Sequence, residues 1–159
     1  MIGVYLLLGS NLGDRISYLR QASRLIRETV AAVIQASSVY ETQSWGKTDE
    51  PDYLNQVLYI ETDLHPGLLL EKLLDIETIM GRKREVKWGS RIIDIDILFY
   101  GDQKINEPNL VVPHPELHNR MFTLAPLNEI APDFVHPVLQ KKISDLKSEL
   151  KSDLTVKMF

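Results

Sequence analysis

The chain has 159 residues, of which 44% are apolar and 25% are charged, and its formal net charge is −4. This composition is typical of one globular domain and excludes a disordered chain. No apolar run approaches the roughly 20 residues that cross a bilayer, and the apolar run at residues 4–8 lacks the basic flank of a signal peptide. The absence of cysteine excludes disulfides and thiolate chemistry. We therefore predict a cytoplasmic monomer with no membrane partner, organised as a single domain over residues 1–159.

Basic charge is concentrated in one segment of this acidic chain. Residues 81–91 hold five basic side chains and only one acidic side chain. The overall negative charge opposes broad electrostatic binding to nucleic acid, so we predict no nucleic-acid partner. A local basic cluster suits a compact anion, such as a nucleoside triphosphate.

The first half of the chain predicts three strands and one helix. A strand at residues 4–8 leads through a turn rich in glycine and asparagine into a helix that begins near Ile16, where apolar residues recur every three or four positions. Two runs rich in β-type residues, 34–43 and 53–62, predict strands. A loop joins these two strands.

The second half predicts a helix, a strand and a C-terminal part. The helix covers residues 66–80, with proline near its start and Gly81 just past its end. A strongly β-type run follows the basic segment at residues 92–100. After a proline-rich loop, the pattern predicts a helix at residues 121–130 and then a charged C-terminal helix.

The order of these elements is β-α-β-β-α-β with a C-terminal extension. That order is typical of the ferredoxin-like α+β class, in which a mainly antiparallel sheet carries its helices on one face. The other face of the sheet is then open for a ligand. The order by itself does not identify the ligand.

Two carboxylates on one predicted strand are the strongest chemical feature of the sequence. Because side chains alternate along a strand, Asp94 and Asp96 share one face. Paired hard oxygen ligands suit Mg²⁺, which takes one or two carboxylates together with substrate phosphates, and they could also bridge two ions. The alternative is an exposed strand edge with two solvated acids.

The basic segment beside these carboxylates supplies donors for phosphate. Arg82, Arg84 and Arg91 can offer planar, bidentate hydrogen bonds. Carboxylate-held metal together with arginine is the usual equipment of phosphoryl transfer. A charged loop can also be simply solvated, but Trp88 within it needs a surface on which to pack.

Asn55 indicates recognition of a polar ring. Asparagine is depleted in strands, yet Asn55 interrupts an apolar strand-like run. Its carboxamide both donates and accepts, as the edge of an amino-oxo heterocycle requires. Tyr53, Trp45 and Phe122 are candidate stacking partners. The alternatives are an edge or bulge position for Asn55 and core packing for the aromatic residues.

A histidine and an arginine lie close together further along the chain. His114 lies between two prolines, which can aim one imidazole, although a lone loop histidine is more often structural. Arg120 precedes a predicted helix, and a helix N-terminus favours an anion. Both are candidate phosphate contacts.

Taken together, these motifs resemble the signature of the 6-hydroxymethyl-7,8-dihydropterin pyrophosphokinases. The most specific match is the Arg-x-x-Asp-x-Asp pattern that ends at Asp96. The resemblance covers about residues 2–135, and its landmarks in chain order are GSNLGD at 9–14, PDYLN at 51–55, KWGSRIIDIDIL at 87–98, VPH at 112–114 and NR at 119–120.

The resemblance implies a ferredoxin-like fold and transfer of the terminal diphosphate of ATP to the pterin hydroxymethyl oxygen, with release of AMP, in folate biosynthesis. It implies that Asp94 and Asp96 hold two Mg²⁺ ions. The catalytic residues it implies are these two aspartates together with Arg82 and Arg91. The ATP-binding residues it implies are Glu77, Arg82, Arg84, Trp88, Arg91, Ile97, His114 and Arg120. The pterin-binding residues it implies are Thr42, Trp45, Gly46, Tyr53, Asn55 and Phe122.

Two other classes share parts of this pattern. A different Mg²⁺-dependent nucleotidyl or phosphoryl transferase could use the same pair of carboxylates, and the product nucleotide distinguishes it. RNA-recognition domains share the element order, but their paired aromatic strand motif is absent, and two acids on a strand repel phosphate.

Overall fold

The structure is a computed structural model that describes residues 1–43, 52–81, 92–152 and 154–159. Its strands are β1 (Ile2–Ser10), β2 (Val33–Ala36), β3 (Tyr40–Thr42), β4 (Tyr53–Thr62), β5 (Asp94–Tyr100), β6 (Ile105–Glu107), β7 (Leu110–Val112) and β8 (Val156–Met158). Its helices are α1 (Arg15–Thr29), α2 (Pro66–Ile79), α3 (Met121–Ile130) and α4 (Ile143–Glu149), with a short 3-10 helix at Leu117–Asn119.

An antiparallel sheet forms the centre of the molecule. Its strands lie in the order β5-β1-β4-β3-β8, and β2 also pairs with β4. β1 is hydrogen-bonded on both sides, to β4 along its whole length and to β5 over residues 4–9. The predicted βαββαβ order and the mainly antiparallel sheet are therefore confirmed.

The first core lies between this sheet and the helices α1 and α2. Even-numbered residues of β1 and β4 point to this side, and their apolar side chains are buried. The helices contribute Leu19, Ala22, Ile26, Leu69, Leu73 and Ile76, which recur at helical spacing. Two helices on one face were predicted, and both are present.

A second core covers part of the opposite face. Leu7 and Val57 from the sheet pack there against Leu124 and Leu127 of α3 and against the buried residues of α4. A register shift between Tyr5 and Leu6 in the pairing with β5 inserts one extra residue, so that the neighbours Leu98 and Phe99 both belong to this core. The helices of the C-terminal extension thus occupy part of the face that the fold class was expected to leave open.

The predicted strand 34–43 is divided into β2 and β3. At the break, the Ser37 hydroxyl accepts the Val57 amide at 2.9 Å. The Glu129 carboxylate of α3 accepts hydrogen bonds from the Ser38 amide at 2.9 Å and from the Tyr40 hydroxyl at 2.7 Å. Burial, together with this carboxylate, raises the pKa of Tyr40 to about 12. Hydrogen bonds made by side chains therefore interrupt the regular strand ladder here.

Two further strand pairings were not predicted from the sequence. The proline-rich loop contains the antiparallel hairpin of β6 and β7. The C-terminal helix is present as α4, but β8 follows it and adds an outer strand to β3. Among the described residues, no helix combines the length and the apolarity needed to cross a membrane.

His136 is a buried titratable group that makes the stability of the fold depend on pH. Its side chain is 4% exposed, and its Nδ1 accepts the amides of Val138 and Leu139, both at 3.1 Å. Burial lowers the pKa of His136 to about 4, and nearby His118 acts in the same direction. Between pH 6.5 and pH 4 the unfolded chain therefore binds a proton that the folded protein does not, so stability falls as the pH falls through this window.

We expect His136→Asn to weaken the dependence of stability on pH, because asparagine Oδ1 can accept hydrogen bonds from the same two amides without titrating. Urea unfolding at pH 4.5 and pH 7 should show a loss of stability in the parent that is smaller in the variant by an amount on the order of 1–3 kcal/mol. His65→Asn is the matched control, since His65 is exposed and its Nδ1 also accepts a nearby amide, that of Gly67. Equal pH dependence in the parent and His136→Asn would contradict the assignment.

Candidate active site

The floor of the candidate site is a row of paired residues across three strands. Gly9 of β1 lies opposite Asp94 of β5 on one side and opposite Asn55 of β4 on the other. Directly paired residues point to the same face of a sheet, here the face of the second core. Since neighbouring strands lie about 4.8 Å apart, the Asp94 and Asn55 backbones are about 10 Å apart. The carboxylates and the carboxamide thus border one surface with glycine between them.

Asn55 is held in place but keeps one polar atom without a partner. The residue is 4% exposed, and its Nδ2 donates to the Leu8 carbonyl at 3.2 Å. Its Oδ1 is buried and accepts no hydrogen bond from any residue that the structure describes. A buried acceptor left unpaired costs about 1–3 kcal/mol. A ligand that donates to Oδ1 recovers that cost.

The glycine at position 9 makes this arrangement possible. A Cβ placed on Gly9 would lie 2.8 Å from Asn55 Nδ2 and 3.9 Å from the Tyr53 ring. The first of these distances is shorter than real Cβ contacts, so any other residue at position 9 displaces the carboxamide. The sequence indicated only a turn here, and the requirement for glycine appears once β1 and β4 are paired.

The pterin-binding residues predicted from the resemblance border this floor where the structure describes them. Thr42 pairs with Tyr53 at the end of β3, and its buried Oγ1 accepts or donates no hydrogen bond within the described residues. Phe122 lies in the first turn of α3, which contacts both β3 and β4. The predicted contacts Trp45 and Gly46 lie outside the described residues.

The carboxylates of β5 alternate with buried isoleucines, as the period-two pattern predicts. Asp94 and Asp96 are half-buried on the site face, whereas Ile93, Ile95 and Ile97 are buried in the first core. Ile97, predicted to contact ATP, therefore has its side chain in that core. Its contact with ATP stays a prediction.

Glu77 fixes β5 from the opposite side of the sheet. This carboxylate is 3% exposed on α2, and its Oε2 accepts the Ile95 amide at 2.7 Å. Ile95 lies between the two aspartates, so this hydrogen bond holds the strand at the point where both carboxylates emerge. The ATP contact predicted for Glu77 stays a prediction.

His114 is aimed by its own backbone and by its neighbours. It follows the cis Val112–Pro113 peptide, its amide donates to the Leu98 carbonyl at 3.0 Å, and its Nδ1 accepts the Glu116 amide at 3.2 Å. Burial lowers the pKa of His114; the Asp96 and Glu116 carboxylates oppose this shift, and the Arg120 guanidinium adds to it. The hydrogen bond at Nδ1 assigns the proton of the neutral ring to Nε2, which is then a donor.

Arg120 lies at the start of α3, close to both His114 and Phe122. It is the N-cap residue of that helix, and its guanidinium carbon is 5.6 Å from the Phe122 ring centroid. Its charge also acts on His114. The structure thus brings together Asp96, His114 and Arg120. The predicted ATP-binding residues Arg82, Arg84, Trp88 and Arg91 lie outside the described residues.

Known proteins of one family are similar to this chain in sequence. A family model described as 7,8-dihydro-6-hydroxymethylpterin-pyrophosphokinase matches residues 5–132. The chain is 45% identical over 149 residues to an Aquifex aeolicus protein named 2-amino-4-hydroxy-6-hydroxymethyldihydropteridine pyrophosphokinase, covering 94% of this chain and 92% of that protein. A Bacillus subtilis protein of the same name is 46% identical over 127 residues, which are 79% of this chain and 76% of the relative.

Solved structures show the same fold. A crystal structure of Plasmodium falciparum HPPK-DHPS with pteroate superimposes with a TM-score of 0.78 at 19% identity, covering 93% of this chain and 44% of the other. This chain therefore spans less than half the length of that protein, and the likeness concerns the fold alone. The family model and the bacterial relatives carry the assignment further: the chain belongs to the 7,8-dihydro-6-hydroxymethylpterin-pyrophosphokinase family.

Proposed function

We propose that this chain transfers the terminal diphosphate of ATP to the hydroxymethyl oxygen of 6-hydroxymethyl-7,8-dihydropterin, releases AMP, and so serves folate biosynthesis. The observation that carries this proposal is the row formed by Asp94, Gly9 and Asn55. One end of this row offers a buried acceptor for a polar ring, and the other end offers carboxylates for a metal-bound phosphate. The names of the bacterial relatives support the same reaction.

Asn55 and Thr42 read the edge of the pterin in this proposal. The unpartnered Oδ1 of Asn55 accepts an N–H of the ring, and the buried Oγ1 of Thr42 supplies a second polar contact. Tyr53 and Phe122 flank the ring faces, where aromatic stacking favours a flat heterocycle. Trp45 and Gly46 complete the set of pterin contacts.

Asp94 and Asp96 would hold two Mg²⁺ ions. They fit such ions because both are half-buried oxygen donors on the same face of a rigid strand. Among the residues that the structure describes, no group of three or more His, Cys, Asp or Glu side chains could hold a metal ion. Substrate phosphates would therefore supply further ligands. When bound, Mg²⁺ neutralises phosphate charge and aligns the reacting groups.

The protein's own groups position the two substrates for an in-line reaction. Asn55 orients the ring so that its hydroxyl oxygen attacks the β-phosphorus, and the bond between that phosphorus and the oxygen bridging to the α-phosphate breaks. His114 donates from Nε2 and Arg120 from its guanidinium to phosphate oxygens, as Arg82, Arg84, Trp88 and Arg91 complete the ATP site. The hydroxyl proton leaves to solvent, because transfer of this kind depends on positioning and charge neutralisation more than on a strong base.

The remaining features of the proposal concern assembly and location. We propose that the chain acts as a cytoplasmic monomer on small-molecule substrates, and that it binds neither nucleic acid nor a membrane surface. The net charge of −4 supports the last of these points, because it opposes attraction to nucleic acid and to anionic membrane surfaces.

The decisive experiment identifies the product nucleotide. Incubating the protein with ATP, Mg²⁺ and hydroxymethyl-dihydropterin should yield AMP and the pterin diphosphate in equal amounts. ADP in place of AMP would indicate a simple kinase. The absence of turnover in the presence of the pterin would overturn the proposal.

Loss of either strand carboxylate should remove turnover and spare ring binding. We expect Asp94→Ala and Asp96→Ala to lower kcat by more than tenfold, and to change the dihydropterin Kd by less than about threefold, because the carboxylates serve phosphate and metal. Asp102→Ala is the control, since Asp102 is exposed just beyond the same strand. Retention of a tenth or more of kcat in either variant would refute the metal-ligand role.

Asn55→Ala should weaken the binding of dihydropterin and leave the binding of ATP unchanged. Removing the carboxamide should weaken dihydropterin binding by about 1–3 kcal/mol, because the ring edge is left unpaired. Calorimetry with a non-hydrolysable ATP analogue alone should show an unchanged Kd. Equal losses for both ligands would make Asn55 a structural residue.

Gly9→Ala tests the floor of the site without removing any polar group. The added methyl must displace Asn55 Nδ2, so dihydropterin affinity should fall about tenfold or more while the ATP-analogue Kd is unchanged. Gly67→Ala is the matched control, because a Cβ there meets only ordinary contacts with His65 at 3.5 Å. Unchanged pterin affinity in a folded Gly9→Ala protein would show that the close approach has no functional role.

A further inference from the structure

Arg15 joins two segments of chain that lie far apart in sequence. It is the first residue of α1, and its Nη1 donates to Glu41 Oε2 of β3 at 2.9 Å. The same nitrogen donates to the backbone carbonyl of Asp52, just before β4, at 2.6 Å. Arg15 and Glu41 are 22% and 24% exposed at their side chains, so this ion pair is partly screened from water. One guanidinium therefore holds the middle of β3 to the segment just before β4.

The same guanidinium reaches the C-terminal strand. Its central carbon is 5.9 Å from the Phe159 ring centroid, within the range of a cation–π contact. β8 pairs with β3 so that Val156 lies opposite Thr42, and the Phe159 amide donates to the Val39 carbonyl at 2.8 Å. Arg15 thus spans three neighbouring strands at one end of the sheet.

This tie lies on the face of the sheet opposite the candidate active site. Glu41 pairs with Leu54, whose side chain is buried in the first core. The neighbours Tyr40 and Thr42 pair with Asn55 and Tyr53 and so point to the site face. Arg15 therefore cannot touch a ring bound over Gly9, and any effect on that ring passes through the backbone of β3 and β4.

We infer that Arg15 is a positioning residue for the pterin pocket: by tying Glu41 to the Asp52 carbonyl, it fixes β3 against β4 where Thr42, Tyr53 and Asn55 face the ring. This inference rests on the proposed function. The need for a tie follows from the length of β3, which pairs over only three residues. So short a pairing is weak without side-chain support, and hydrogen bonds from a charged donor are stronger than neutral ones.

The inference predicts that loss of the Arg15 side chain affects the binding of dihydropterin but not the binding of ATP. β4 and β1 lie between β3 and β5, the strand that carries Asp94 and Asp96. Loosening β3 should therefore weaken dihydropterin binding but leave the phosphate side intact. Lysine keeps the positive charge, but its nitrogen ends one bond short of the position of Nη1 and lacks the planar guanidinium, so Arg15→Lys should be intermediate.

The test compares Arg15→Gln, Arg15→Lys, Glu41→Gln and the double variant Arg15→Gln/Glu41→Gln with the parent. We expect Arg15→Gln to raise the dihydropterin KM and Kd about tenfold, with kcat and the ATP-analogue Kd within about twofold. Arg20→Gln is the matched control, because Arg20 is exposed on the same helix. In the double variant, Glu41→Gln should add little to the effect of Arg15→Gln.

A second measurement does not depend on any ligand. Hydrogen exchange in the free protein should be faster for the β3 amides in Arg15→Gln than in the parent, and unchanged for β1. Unchanged exchange in β3, independent effects in the double variant, or equal losses for both ligands would each overturn the inference. Failure of the parent to bind dihydropterin would instead overturn the proposed function, and the exchange result would still decide whether Arg15 ties β3 to β4.

Discussion

Alternation of side chains along β1 is the constraint on which the rest of the structure depends. Because this strand is paired on both sides, each of its residues is committed to one face. Leu6 and Leu8 enter the first core, Leu7 enters the second core, and Gly9 lies between Asp94 and Asn55 on the site face. In the same way, a slip of β5 by one residue would turn Asp94 and Asp96 into the first core and Ile95 out of it. Folding of the core and formation of the site are therefore the same event.

The second core limits where a ligand can bind on that face. α3 and α4 cover Leu7, Val57 and the end of β5 around Leu98, so the open surface is confined to the end of the sheet that bears Asp94 and Asn55. α3 also begins at this boundary, which is why Arg120 and Phe122 lie at the edge of this open surface. A helix that closes the core thus also supplies one wall of the site.

Sequence patterns predicted the parts of this structure that depend on local periodicity. The run 53–62 and the helix 121–130 occur at the predicted residues, and Asp94 and Asp96 share a face as the strand period requires. The break at Ser37 and the strand β8 were not predicted, because both depend on partners remote in sequence, such as Glu129 and β3. Arg15 was missed for the same reason, since its acceptors lie 26 and 37 residues away. Gly9 was noted only as part of a turn, because its close approach to Asn55 exists only across paired strands.

The double pairing of β1 also determines how the molecule opens. Amides at the centre of β1 are bonded to neighbours on both sides and covered by a core on each face, so they can exchange with solvent only when the whole domain unfolds. The floor of the site is therefore built on the most slowly opening part of the protein, whereas β3 and the N-terminal turn of α3 belong to its periphery. Under the proposed function, a substrate therefore meets a floor that opens slowly and walls that open more readily.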